Sequence, residues 1–66
     1  MSNNVRQHWK RELERANGNL DGYMQHLLPM QAEYQPVHPE IAEQLQVCLD
    51  MAVMLQTLTE QIGQSI

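Results

Sequence analysis

Phenylalanine is absent from this 66-residue chain, cysteine and tryptophan occur once each, and no lysine or arginine follows Arg15. Each shortage removes a class of explanation. A lone cysteine, Cys48, excludes an internal disulfide, and without a second cysteine the usual structural zinc sites are not expected. Cys48 falls in an apolar row and reads as a small packed hydrophobe rather than a reactive thiol. No stretch approaches the roughly 18 apolar residues of a membrane span. Residues 1–12 carry no apolar run of the secretory kind, so a soluble, cytoplasmic chain is expected.

Catalytic signatures are equally scarce. His8 and Glu12 stand four apart, a valid two-ligand spacing on a helix, but no second such pair exists. His8 and His26 would lie about 27 Å apart along a helix, and His38 falls on another element. Residues 18–22 hold two glycines, yet no lysine follows and no strand precedes, so they do not form a phosphate loop. Thr57 and Thr59 have no predictable histidine partner. Neither a metal, a cofactor nor an enzymatic activity is expected.

What the chain has is helical periodicity. From Pro39 to Ile62, the residues Ile41, Leu45, Cys48, Ala52, Leu55, Thr59 and Ile62 recur at alternating steps of four and three, the spacing of a packing seam. Pro39 suits the first helical position, with His38 before it as the cap. Glu40 and Glu43 favour the helix's positive end, and Gly63 marks its stop. A second row, Val47, Met51, Met54 and Leu58, runs beside the first. Together the rows cover well over half of the helix circumference, more than one neighbouring helix can bury.

An earlier stripe, Val5, Trp9, Leu13, Ala16, Leu20, Tyr23 and Leu27, predicts a first helix over about 4–28, with Ser2, Asn3 and Asn4 as cap candidates. Asn17-Gly18-Asn19 reads as a turn in isolation, but the stripe keeps phase through it, which favours one continuous helix. Gly18 and Gly22 share a side that a neighbouring backbone could approach. Pro29 disfavours helix at Leu28, so residues 29–38 are expected to form the connection, with Tyr34 and Val37 folded back over the end of the hairpin.

The resulting expectation is an all-α, single-domain chain over residues 1–66. It is an antiparallel helical hairpin that dimerises into a four-helix bundle, because a core of this size is marginal alone. Val47, Met51, Met54, Leu58 and Trp9 are the candidate protein interface. Met51 and Met54 suit adaptable contacts, and Trp9 suits an anchor. The functional expectation is a small non-enzymatic interaction protein, a regulator, adaptor, antagonist or chaperone of the bacterial or phage accessory type, with a homodimer or another protein as partner. The alternative is a nucleic-acid-binding regulator using Arg6, Lys10, Arg11 and Arg15. Glu12 and Glu14 interrupt that cluster and the net charge is −4, so nucleic acid is the lesser expectation. Antiparallel pairing would also bring Asp50 and Glu60 within reach of the basic residues.

Overall fold

The computed structural model describes residues 3–66 and is all-helical, with α1 over Asn3–Tyr34 and α2 over Pro39–Ser65 packed against each other. Ser2, one of the three cap candidates, lies outside the described residues, and Asn3 and Asn4 are already helical. The chain passes through Asn17-Gly18-Asn19 without a break, as the unbroken phase of the stripe requires. A Cβ at Gly18 or Gly22 would meet nothing within 4 Å, so no backbone approaches either glycine within the hairpin. Gly18→Ala and Gly22→Ala are therefore each expected to stabilise the fold by about 0.5–1 kcal/mol. A rise in the urea midpoint checks this, and a fall would place a neighbour against that side.

The boundaries depart from the sequence expectation. Helix α1 continues through Pro29 to Tyr34, and the connection shrinks from residues 29–38 to residues 35–38. Proline in a helix interior ordinarily costs about 3 kcal/mol. Here the following turn is held by contacts to the other helix. Gln31 Nε2 donates to the Ala42 carbonyl at 3.3 Å and to Gln46 Oε1 at 2.7 Å, and Tyr34 is half-buried. The reversal itself is tight. The amides of Val37 and His38 both bond the Tyr34 carbonyl, at 3.0 and 2.7 Å, and the His38 carbonyl receives the amides of Ile41 and Ala42. Pro39 occupies the start of α2 as expected, though His38 makes no side-chain cap bond. Val37 is not a plug, being 66% exposed. At the far end Gly63 lies inside α2, which runs on to Ser65. A Cβ at Gly63 would make only an ordinary 3.7 Å contact with Leu13.

The seam between the helices is rotated from the predicted one. On α2 the buried or half-buried column is Ala42, Leu45, Leu49, Ala52, Gln56, Thr59 and Gly63, and on α1 it is Leu13, Asn17, Leu20, Met24, Leu27, Gln31 and Tyr34. Both columns keep steps of three and four, so the predicted periodicity holds while its direction does not. Leu45, Ala52 and Thr59 stay in the seam. Ile41, Cys48, Leu55 and Ile62 sit on its flank, as do Trp9, Ala16 and Tyr23 on α1. With about 3.5 residues per turn, that is a rotation of roughly 50° in each helix.

The true seam is partly polar, and its glutamines, Gln31 and Gln56, bond across it. Gln56 Nε2 reaches the Asn17 carbonyl at 3.1 Å and Asp21 Oδ1 at 2.7 Å, while Thr59 Oγ1 returns to the Leu55 carbonyl at 2.7 Å. Asn17 Oδ1 is buried without a partner, which ordinarily costs about 1–3 kcal/mol. Only Ala42, Leu49 and Ala52 are fully buried among the described residues. The Cα envelope of 54 × 16 × 9 Å is one helix thick. A single layer leaves both of its faces open, and almost every large apolar side chain has one side uncovered.

Candidate interaction surface

The two faces of this layer differ in chemistry. One carries Lys10, Glu14, Asp21, Gln46 and Glu60, with Lys10, Glu14, Asn17 and Glu60 lining a shallow polar hollow. The other face carries the flanking columns of both helices. Because the columns Trp9–Ala16–Tyr23 and Cys48–Leu55–Ile62 lie one step to the same side of the seam, they border one groove. Near mid-length the groove opens to about 510 Å³ between Ala16, Leu20 and Tyr23 on α1 and Cys48, Met51 and Leu55 on α2. Toward the free ends it continues as a hollow of about 400 Å³ bordered by Arg6, Trp9, Glu12, Leu13, Ile62 and Ile66.

Of the predicted interface residues, Trp9 and Met51 border this groove. Met51 borders it at 60% exposure, and Met54 beside it is 64% exposed and shares a shallow apolar hollow with Met51 and Leu55. Trp9 borders the outer hollow, half-exposed, with the His8 ring edge-on at 4.9 Å. Leu58 stands in the column of Met51 and Val47 in that of Met54, and both are half-exposed. Tyr23, Leu55 and Ile62 belong to the same surface, although apolar spacing assigns them to the seam. Their signal in the sequence is a pair of separate seven-residue columns, 9–16–23 and 48–55–62, beside the seam columns. A single chain's stripe does not say which of two adjacent columns meets the intramolecular neighbour.

Cys48 is half-buried rather than packed away, and faces Tyr23 across the groove. Its side chain hydrogen-bonds the phenol, and that bond, followed by partial loss of hydration and the thiol's charge, raises the Tyr23 pKa above its usual value.

The basic residues do not converge. Arg6 borders the apolar hollow, whereas Lys10 lines the polar hollow on the opposite face. Arg11 is exposed, and Arg15 pairs with Glu12 of its own helix at 3.4 Å. Asp50 accepts from Gln46 Nε2 at 2.9 Å, and among the described residues no ion pair joins α1 to α2. The expected pairing of the basic end with Asp50 and Glu60 is therefore not made within the hairpin. Among the described residues no three His, Cys, Asp or Glu side chains gather into a metal-holding group. No helix there is long and apolar enough to cross a membrane.

No protein-family model matches the chain, and no match was found among curated proteins or solved structures.

Proposed function

We propose that this chain is a small non-enzymatic interaction module, acting as a regulator, adaptor, antagonist or chaperone, whose grooved face is covered by another helical protein surface. Self-association into a four-helix bundle is the arrangement we favour. The observation that carries the reading is the imbalance between what the hairpin buries and what it leaves open. Ala42, Leu49 and Ala52 are buried, while Trp9, Tyr23, Met51, Met54, Leu55, Leu58 and Ile62 each remain about half-exposed or more.

The magnitudes fit a stable complex. Burying the exposed half of a large apolar side chain contributes about 1 kcal/mol. Seven such residues on each of two surfaces give a gross gain on the order of 14 kcal/mol by the same coefficient. Association costs roughly 4–15 kcal/mol, so the gross gain is of the size that a self-associating surface needs.

Nucleic acid is the competing class, and salt separates the two. Four phosphate contacts from Arg6, Lys10, Arg11 and Arg15 would make log affinity for duplex DNA fall with log salt at a slope of about −3 to −4. The expected result is no measurable binding of RNA or DNA near physiological salt, together with a dimer at micromolar concentration in sedimentation equilibrium. A tight, salt-sensitive RNA complex lost on Arg11→Ala and Arg15→Ala would establish the nucleic-acid reading instead.

A further inference from the structure

We infer that the surface covering the groove is a second copy of this chain packed face to face with its turn at the opposite end, related by a two-fold axis crossing the hairpin near Asn19 and Leu20 on α1 and Met54 and Leu55 on α2. The inference rests on the reading of the grooved face as a self-association surface and adds the orientation of the second copy. Charge supplies the first argument. At the free ends Arg6 borders the groove, whereas the turn end carries Glu33, in the same seven-residue column as the groove-lining Glu12 and Asn19, and holds no lysine or arginine. Two copies with turns together would bring Glu33 of each to the same end and Arg6 of each to the other. With turns opposed, Arg6 of each copy lies at the level of Glu33 of the other, and these like charges are kept apart.

The spacing of the exposed residues supplies the second. Gln56 bonded to both Asn17 and Asp21 sets residues 19 and 55 at the same level along the hairpin, so one axis can cross both helices there. About that axis, Trp9 meets Met30 of the second copy, and the small Ala16 meets the large Tyr23. On α2, Met51 meets Leu58, and Leu55 lies close to the axis beside its own copy. Val47, Met51, Met54, Leu55, Leu58 and Ile62 are all more than half exposed in the single hairpin. Met51, Leu55 and Leu58 find apolar counterparts, and Arg6 falls opposite Glu33. Such self-complementarity, residue i on j and j on i, is what a two-fold interface requires. The groove's own lining is apolar at its middle apart from Asn19 and bordered by Arg6 and Glu12 at its outer end, so the charged residues form a rim.

Spin labels on the turn read the orientation directly. Val37 is 66% exposed, so Val37→Cys in a Cys48→Ala background places the label at the turn, away from the groove. With turns opposed, the two labels stand near the 54 Å length of the molecule, about 50 Å apart. With turns together, they fall within about 25 Å, the width of a four-helix bundle. A dipolar distance near the long value is the expected result. The short value would overturn the orientation and leave self-association standing. No dipolar coupling, with a monomer in sedimentation of the same sample, would overturn the second copy as occupant altogether. A charge swap in the otherwise unaltered chain gives a readout independent of Cys48. Arg6→Glu should weaken the dimer several-fold, and adding Glu33→Arg should restore it; absence of restoration would also count against the opposed arrangement.

Discussion

Leu49→Ala is expected to lower the unfolding free energy by about 2–4 kcal/mol, the usual result of emptying a buried leucine site. Leu49 is the one large side chain of the described residues that is fully buried, at 6% exposure, and its neighbours in the seam, Ala42 and Ala52, are too small to fill the gap. In a chain of this size such a loss removes much of the total stability. Two comparison sites give the result its meaning. Val53 lies on the polar side of α2 and is 53% exposed, so Val53→Ala should cost no more than about 0.5 kcal/mol. Leu55 is almost equally exposed in the single hairpin at 52%, yet it borders the groove. With the groove covered, Leu55→Ala should cost about 1–3 kcal/mol and weaken self-association at least tenfold. Urea unfolding at tens of micromolar protein, with sedimentation beside it, separates the three variants. If Leu55→Ala matched Val53→Ala, the groove would be open in solution.

The contrast between Leu49 and Leu55 also shows where sequence reasoning reaches and where it stops. Two helices, their antiparallel pairing and the continuity of α1 across Gly18 all follow from apolar spacing, because a loop has no reason to keep helical phase. The start of α2 follows from Pro39, whose fixed φ suits a first helical position. The end of α1 does not follow from Pro29. A local rule assigns a break there, but Gln31 and Tyr34 hold the next turn against α2. The seam direction escapes for a different reason. An apolar stripe sums every contact a helix makes, so its centre points between the neighbour in the chain and any neighbour outside it. Leu55, Cys48 and Ile62 are more conspicuous in sequence than Gln56 and Gly63, yet Gln56 and Gly63 face α1. Polar seam residues such as Asn17, Gln31 and Gln56 escape any reading based on hydrophobicity alone. The amides of Gln31 and Gln56 satisfy backbone and side-chain acceptors across the helices, which only the packed geometry reveals.

Met51→Glu should abolish self-association at concentrations where the parent chain is dimeric, weakening it at least a thousandfold, or about 4 kcal/mol. Met51 is 60% exposed in the hairpin and lines the apolar middle of the groove, so the substitution leaves the seam between α1 and α2 intact. In a two-fold complex it places one carboxylate from each copy in that layer. Each must be desolvated without a basic partner, since no lysine or arginine lies beyond Arg15 and the α2 residues near Met51 are apolar. The penalty for an unpaired buried charge is several kcal/mol, which outweighs what the methionine side chain itself contributes by burial. Val53→Glu is the control, for it adds the same charge two residues away on the polar side of α2. It should leave the dimer within about threefold of the parent, because surface substitutions stay near 0.5 kcal/mol. The pair of variants thus tests position rather than charge. A Met51→Glu chain that remains helical and dimeric would remove the groove from the interface, and the imbalance between buried and exposed apolar residues would then need another cover. A Met51→Glu chain that becomes monomeric and largely unfolded, while Val53→Glu stays helical, would mean that the hairpin depends on its partner surface to fold. With so few residues fully buried in a single helical layer, that dependence is the expected one.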